Sequence, residues 1–239
     1  LVLMAENIES LQEQADLVTV ATPLFETVTR AWEDEQFILY VSDRHGHILH
    51  TDGHASVVER ARRINSVPGA SMAEEHIGTA SANVVIAQGQ TEYVLWQEHY
   101  SQAFHSWAAI GAPIFHPLTQ ELIGVAGAAG EEFVHPRALE LIERIAHRLE
   151  QLFHHEEVLR RVALLDAYHQ FLLQHPHDIV LAIDGRGHIC GAAPAIATLV
   201  EEPHHLLEKS LLRLPEFRIE GFHPPAQQQE LQPYGVRIT

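Results

Sequence analysis

The densest group of potential metal ligands is a run of histidines. The stretch DRHGHILHTDGH contains four of them: His45, His47, His50 and His54. A zinc or copper site needs three or four ligands that converge at about 2.0–2.3 Å on one ion. His45 and His47 flank a glycine in a turn, whereas His47 and His50 have opposite parity on a strand and therefore face opposite sides of it. The run fits a metal site poorly, and we expect no metal here.

A second copy of the same hairpin sequence tests whether these histidines are needed. The matching stretches are ILYVSDRHGHIL at 38–49 and IVLAIDGRGHIC at 179–190. The positions that both copies keep are Asp43 with Asp184, Gly46 with Gly187, His47 with His188, and Ile48 with Ile189. The second copy has Arg186 in place of His45 and Gly191 in place of His50. The hairpin is therefore expected to form without the cluster, which favours exposed polar side chains over a ligand set.

Motifs for nucleotide binding and nucleophilic catalysis are missing from the sequence. It contains no G-x-x-x-x-G-K-[ST] loop, no G-x-G-x-x-G after a strand and no G-x-S-x-G elbow. Cys190 is the only cysteine, and it stands within the repeated strand. His154 and His155 precede two glutamates, but the rest of a sensor-kinase phosphoacceptor motif is absent. We predict no catalytic residues, no cofactor and no enzymatic activity.

The charge and cysteine content exclude several classes of partner. Lys and Arg number 15 against 32 Asp and Glu, a formal net charge of -17, so most of the surface repels a phosphate backbone. One cysteine cannot form an intramolecular disulfide, which fits a reducing compartment. No run of about 18 apolar residues occurs, and no basic region precedes an apolar one at the start. We expect a cytoplasmic protein that binds neither a membrane nor nucleic acid directly.

Helical and strand periodicities alternate through the first half of the chain. Apolar residues at helical spacing predict an N-terminal helix or helix pair over 6–33, which Pro23 should kink or divide. A hairpin (FILYVSD, HILHT), two short helices (SVVERARRI, TASANVVIAQG) and three strands (TEYVLW, SWAAIGAPIF, ELIGVAGAAG) follow. Short helices between antiparallel strands predict an α+β domain over 35–134.

A helix of nearly forty residues is predicted to follow that domain. Pro136 suits its first turn, apolar residues recur at helical spacing, and Pro176 ends it. At 1.5 Å per residue it spans about 55–60 Å, too long for a small domain to bury, and therefore indicates a connector and dimer interface. The alternative is two helices with a bend at His154. From Pro203 onward the chain is rich in Pro and Gln, which predicts a small or incomplete second domain.

Residues 69–130 combine polar and aromatic side chains with apolar strands. The polar and aromatic ones are Glu74, Glu75, His76, Thr79, Trp96, His99, Tyr100, Phe104, His105 and Trp107. This composition fits a pocket for a small polar molecule, and equally well an ordinary core with a polar rim.

The same segment resembles a known family. Its pattern is E-E-x-x-G-T, then E-H-[FY], then W-x-x-x-x-A-P-I-x-x-P and L-I-G-V, carried by Glu74, Glu75, Gly78, Thr79, Glu98, His99, Tyr100, Trp107, Ala112, Pro113, Ile114, Pro117, Leu122, Ile123, Gly124 and Val125. It resembles the GAF sensor domain of bacterial sigma-54-dependent transcriptional activators, and is similar to the regulators of acetoin catabolism and of the dihydroxyacetone kinase operon. The resemblance covers residues 1 to about 155.

The resemblance implies an α+β fold, a GAF domain with an antiparallel sheet flanked by helices. A long helix would join it to a PAS-like domain, because IVLAIDGRGHICGAAPAIATLVEE resembles the opening of the PAS domain in this family. The implied segments are an N-terminal helical segment (1–34), a GAF sensor domain (35–134), a connecting and dimerisation helix (135–176) and a PAS-like domain, complete or not (177–239).

Four positions depart from the family pattern near the implied pocket. Ala80 follows Gly-Thr where the family commonly has Asn, and Met72 stands where a Trp often precedes the acidic pair. Asn83 and Val84 replace a second Gly-Thr. Because these positions border the pocket, the ligands of the relatives do not transfer to this chain.

The resemblance implies a signal-sensing region that binds a small effector, such as a hydroxy-ketone, a diol or an aromatic inducer. The expected contacts are Tyr40, Glu74, Thr79, Trp96, His99, Phe104 and Trp107. Binding would shift the helices at 6–33 and 136–175 in a homodimer and pass the signal to an ATPase and DNA-binding half that this sequence does not contain.

Two other classes remain open. One is a sensor that docks a metabolic-enzyme subunit or another protein partner and holds no small ligand, which a filled apolar core at Trp96 and Trp107 would favour. The other is an enzyme or metal-dependent sensor that uses His76, His99 and His105.

Overall fold

A computed structural model describes residues 5–131, 136–184 and 188–198. The chain divides into two compact units. One unit is Glu13–His155, and the other comprises Leu1–Gln12 and Glu156–Thr239.

The helices and strands follow the order that the sequence predicts, with one short helix added at Glu74–Ile77. They are α1 (Ala5–Ala31), β1 (Ile38–Asp43), β2 (Ile48–Gly53), α2 (Ala55–Arg63), α3 (Glu74–Ile77), α4 (Ser81–Gln88), β3 (Glu92–Leu95), β4 (Ala108–Phe115), β5 (Leu122–Gly130), α5 (Pro136–Gln174), β6 (Leu181–Ile183) and β7 (Ile189–Ala192). Short 3-10 helices occupy Trp96–Glu98, Gln102–Phe104 and Pro194–Thr198. α1 runs through Pro23 as one helix, and α5 is one helix of 39 residues without a break at His154.

The first unit is built on a five-stranded antiparallel sheet. Its strand order is β2-β1-β5-β4-β3, so β2 and β3 form the edges. Strand β5 lies in the centre, where a run of glycine and alanine in LIGVAGAAG lets both faces be covered closely. The α+β class predicted from the sequence is confirmed.

Strand alternation divides the core of this unit between the two faces of the sheet. Leu39 and Val41 of β1 belong to a cluster with apolar residues of α1 and α5. The helical members recur every three or four residues, among them Leu17, Ala21 and Phe25 in α1 and Ile142, Leu149 and Phe153 in α5. The intervening residues, Ile38 and Tyr40, belong to two smaller clusters with α2 and α4. One face of the sheet therefore carries the long helices and the other carries the short ones.

Side-chain hydrogen bonds attach both long helices to the sheet. On α1, the Gln14 amide donates to Oδ2 of Asp43 at 2.8 Å, and Thr29 Oγ1 donates to Oδ2 of Asp52 at 2.8 Å. On α5, Oε1 of Glu150 accepts from the Phe115 backbone N at 2.8 Å. A displacement of the sheet strands would therefore reach both helices through directed bonds.

The hairpin repeat is structural as well as sequential. In the first copy, Oδ1 of Asp43 accepts from the backbone N of His47 at 2.8 Å, and in the second Oδ1 of Asp184 accepts from that of His188 at 2.8 Å. Each copy has a register shift at the same aligned place, so that Ser42 pairs with Ile48 and Ile183 pairs with Ile189. The aspartate therefore makes the same hydrogen bond in both hairpins.

The described part of the second unit holds this hairpin, β6 and β7, and the later part of α5. Tyr168 of α5 packs with Val180 and Ala182, and its ring lies 3.0–3.3 Å from where a Cβ on Gly191 would stand. The rest of the expected PAS-like domain, 199–239, lies outside the described residues. None of the helices described is long and apolar enough to cross a membrane.

Candidate functional site

A groove of about 1150 Å³ opens beside α3. Three segments line it: Ile64 and Asn65 after α2, most residues between 70 and 79, and residues 100–104. Of the residues predicted as ligand contacts, Glu74, Thr79 and Phe104 lie on it. Tyr40, Trp96, His99 and Trp107 do not line it.

Asn83 holds the groove segment that leads into α4. Its amide nitrogen donates to the carbonyls of Met72 at 2.9 Å and Gly78 at 2.7 Å, and its Oδ1 accepts from the backbone N of Ala80 at 3.1 Å. Three backbone groups of an irregular loop are thus satisfied by one side chain. The sequence marks Asn83 only as a departure from the family pattern, whereas the structure shows it fixing the loop.

Tyr100 lies across the backbone of Gly78. A Cβ on Gly78, whose φ is 70°, would stand 2.4–2.6 Å from Cβ, Cγ and Cδ1 of Tyr100. Glycine is therefore needed here for conformation and for space. Tyr100 nevertheless remains 81% exposed. Its place in the E-H-[FY] pattern was the available signal, but the sequence alone does not show that it lines a groove.

His99 is buried next to the groove, with 2% of its surface exposed. Its Nδ1 lies 3.3 Å from the carbonyl oxygen of Thr79, and its ring centroid lies 5.6 Å from that of Phe104. His105 approaches from the other side, with Nε2 3.1 Å from the His99 carbonyl oxygen. Burial lowers the pKa of His99, the Thr79 carbonyl raises it in part, and His105 lowers it further. His99 therefore supports Thr79 and Phe104 as a neutral side chain.

We expect His99 to make the unfolding temperature depend on pH. A histidine whose pKa is lowered in the folded state binds fewer protons there than in the unfolded chain, so stability falls as pH drops below the ordinary value of about 6.5. Between pH 8 and pH 5, the unfolding temperature of His99→Asn should fall less than that of the wild type. His45→Gln, which removes an exposed histidine, is the control and should keep the wild-type slope. An unchanged slope in His99→Asn would contradict this assignment.

Tyr40 occupies the space between the sheet and α4. Its hydroxyl lies 2.9 Å from Oγ of Ser81, the first residue of α4, and both side chains are buried. Tyr40 pairs with Gly127 on β5, which pairs with Gly111 on β4, so the ring extends over two neighbouring glycines. A Cβ on Gly127 would stand 2.1 Å from Cζ of Tyr40. Burial raises the pKa of Tyr40 to about 12, which the Ser81 hydrogen bond opposes.

The two tryptophans predicted as pocket walls have different environments. Trp107 is 5% exposed and packs with Ile38, Val57 and Ala61, with the Arg60 guanidinium 5.7 Å from its ring centroid. Trp96 is 39% exposed, and its Nε1 donates to the Glu131 carbonyl at 3.3 Å. Trp107 therefore belongs to a filled core, whereas Trp96 lies at the surface.

The histidine run forms no ligand cluster. Nδ1 of His47 lies 3.1 Å from Oδ2 of Asp43, and His54 caps α2 by accepting from the backbone N of Ser56. Across residues 5–131, 136–184 and 188–198, no group of three or more His, Cys, Asp or Glu side chains could hold a metal ion. The contacts seen for His47 and His54 are those of a turn and a helix cap.

The chain is similar in sequence to parts of two longer proteins. An uncharacterized 47.3 kDa protein of Rhodococcus erythropolis is 29% identical over 106 residues, 44% of this chain and 24% of that protein. The propane 2-monooxygenase operon transcriptional activator MimR of Mycolicibacterium goodii is 27% identical over 173 residues, 71% of this chain and 29% of the activator. The chain thus spans about a quarter of the length of these relatives, which include a transcriptional activator.

A solved structure and a family model agree with the fold. The crystal structure of the E. coli DhaR(N)-DhaL complex contains a chain of the same fold, with a TM-score of 0.61 at 19% identity, covering 84% of this chain and 69% of that one. The model of the GAF domain matches residues 16–153, which comprise most of α1, the sheet and the first part of α5. The chain therefore belongs to the GAF domain family.

Proposed function

We propose that this chain is the sensory region of a longer sigma-54-dependent transcriptional activator and that its GAF domain receives the signal by docking a protein partner. The proposed domain boundaries are those expected from the sequence, with a PAS-like domain after the long helix. The input changes the arrangement of helices, and no covalent bond is made or broken. The similarity to a transcriptional activator supports the regulatory part of the proposal.

The filled interior of the GAF domain favours a protein partner over an enclosed small ligand. The Tyr40 side chain, whose hydroxyl is hydrogen-bonded to Ser81, fills the space between the sheet and α4 that a small ligand would need. Trp107 is packed in a core in the same way. An enclosed ligand would have to displace one of these side chains, whereas a protein partner needs only the surface.

The fold itself is compatible with such docking. The DhaR(N) chain, which shares this fold, is seen in a complex with DhaL. In this chain the bonds from Gln14, Thr29 and Glu150 attach α1 and α5 to the sheet. A partner that shifts the sheet would thereby bias two arrangements of the long helices.

A small-molecule effector is the second candidate, because the groove offers about 1150 Å³. A small effector in the groove would receive polar contacts from Glu74 and Thr79 and an apolar contact from Phe104. The buried His99 would support Thr79 and Phe104. A thermal-shift screen of C3 to C6 ketones, diols and phenols distinguishes the two candidates. The partner proposal expects no compound to raise the unfolding temperature, whereas a shift that Thr79→Val abolishes would favour the effector.

Site-specific cross-linking tests partner docking directly. A photoreactive residue replaces Gln102 on the groove, or Gln36 in the exposed loop after α1 as the matched control. In cells of the source organism, the Gln102 variant should cross-link to a discrete protein and the Gln36 variant should not. Equal cross-linking from both positions, or none from either, would contradict docking at this face.

We also propose that α5 forms the interface of a homodimer. Val158 and Val162 lie one turn apart on it and are 44% and 51% exposed, and Leu159 beside them is 49% exposed. Apolar side chains at this spacing are typical of a helix that packs against a second helix.

Val162→Glu should therefore reduce the dimer to a monomer, because it places a charge in the proposed interface. Light scattering at micromolar protein concentration measures the mass. Ala163→Glu adds the same charge at the next exposed position and should leave the mass unchanged. A dimeric Val162→Glu variant, or a dimer that persists in a chain ending at Val134, would refute α5 as the main interface.

A further inference from the structure

The groove beside α3 carries negative charge on one of its segments. Glu74 and Glu75 are exposed and are the only carboxylates among the described residues that line the groove, none of which is a lysine or an arginine. Within the described part of the chain, the Glu74 side chain makes no hydrogen bond or ion pair. Oε1 of Glu75 lies 3.9 Å from Nε2 of His76, whose Nδ1 is bonded to Ser71 Oγ at 2.8 Å. Both carboxylates are therefore available to bind a cationic group.

An exposed aromatic ring lines the same groove. Tyr100 lies against Gly78, where any side chain larger than hydrogen would collide with it. Tyr100 is largely exposed, and its hydroxyl has no hydrogen-bond partner within the described residues. An aromatic face and carboxylates that line one groove are groups that can together recognise ammonium and guanidinium groups.

The net charge of the chain also favours a cationic partner. Arg62 and Arg63 end α2 next to the groove, but neither lines it, and both lie near Glu59, at 3.6 and 3.8 Å. The whole chain carries a formal net charge of -17. Its field attracts basic partners over a distance and repels acidic ones.

The open shape of the groove favours a polypeptide segment over a free small cation. Glu74, Glu75 and His76 in its lining are exposed, so an occupant would lie along an open surface. The lining also includes apolar side chains such as Ile77 and Phe104.

We infer that the groove binds a lysine- and arginine-bearing segment of the partner protein. Its cationic groups pair with Glu74 and Glu75, and one of them lies on the Tyr100 ring. This inference rests on the proposed function, since it specifies the chemistry of the partner at the proposed docking face.

A labelled peptide that alternates arginine, glycine and lysine over 15 residues serves as the probe, with binding followed by fluorescence anisotropy. Replacing both groove carboxylates, Glu74→Gln with Glu75→Gln, should raise the Kd about tenfold or more. The control, Glu33→Gln with Glu35→Gln, removes the same charge from the exposed loop after α1 and should change the Kd less than about twofold. Circular dichroism verifies that each variant is folded.

Tyr100 separates ring recognition from simple charge attraction. Tyr100→Phe keeps the aromatic face and should bind the peptide like the wild type, whereas Tyr100→Ala should weaken binding about fivefold. Equal losses from the two glutamate pairs would show attraction to the overall charge and overturn the inference. A host protein that cross-links from Gln102 just as well after Glu74→Gln and Glu75→Gln would also overturn it, while leaving partner docking intact.

Discussion

Tyr40→Ala should lower the free energy of unfolding by about 3–5 kcal/mol, the range for removing a large buried aromatic side chain. The ring fills the layer between the sheet and α4, and the two glycines beneath it cannot fill the space that it leaves. Urea denaturation followed by circular dichroism measures the loss. Tyr40→Phe keeps the ring and loses the hydrogen bond to Ser81, so it should cost about 1 kcal/mol.

The cavity in Tyr40→Ala should in turn bind a ring from solution. Phenol at millimolar concentration should raise the unfolding temperature of this variant, since a ligand that binds only the folded state stabilises it by mass action. Phenol should not raise that of the wild type, whose space is occupied. A loss below about 1 kcal/mol for Tyr40→Ala would show that the ring does not fill this layer.

Gly127→Ala should also destabilise the wild type, and its cost should nearly vanish once the Tyr40 ring is absent. The added Cβ would stand 2.1–2.4 Å from Cζ, Oη and Cε1 of Tyr40, so the ring must leave its position. Overpacking of this kind costs about 1–3 kcal/mol, and more where the displaced group cannot move. Because Gly127 pairs within the sheet at the centre of β5, its own backbone cannot shift without breaking two ladders.

A double-mutant cycle measures how far the cost of Gly127→Ala depends on the Tyr40 ring. Gly127→Ala combined with Tyr40→Ala should show a coupling of about 2 kcal/mol or more, within the range for residues in direct contact. Gly89→Ala is the matched control, since a Cβ there meets nothing within 4 Å and strain at its φ of 69° is the only cost. Its effect should add to that of Tyr40→Ala without coupling. Additive effects at Gly127 would contradict the contact.

Much of the fold follows from local patterns in the sequence. Alternating apolar residues and turn chemistry indicate all five strands of the sheet. The structure adds that the left-handed Gly89 ends α4 and that the glycine-rich strand GVAGAAG is approached closely at two places. Gly124 lies against the Ser42 carbonyl and Gly127 against the Tyr40 ring.

The candidate site follows from the sequence only in part, because it depends on contacts between distant segments. The segments at 70–79 and 100–104 meet at Gly78 and Tyr100, and no periodicity records that meeting. Tyr40 is aromatic and carries a polar hydroxyl, which makes it a typical pocket residue. Whether it borders a cavity or fills one depends on the two glycines across the sheet, which lie more than 70 residues away along the chain. The long helix, in contrast, is predicted by the helical spacing of apolar residues within its own sequence.

Two-dimensional ¹H–¹⁵N NMR of the wild-type chain tests whether the GAF domain has a filled interior and senses a protein at its surface. We expect acetone-sized ketones, diols and phenol at millimolar concentration to leave the amide signals of Tyr40, Ser81, Gly111 and Gly127 unmoved. We expect the basic peptide to shift signals between residues 74 and 79 and near Tyr100. Saturable shifts of the Tyr40, Ser81 and Gly127 amides with a small molecule would contradict a filled interior.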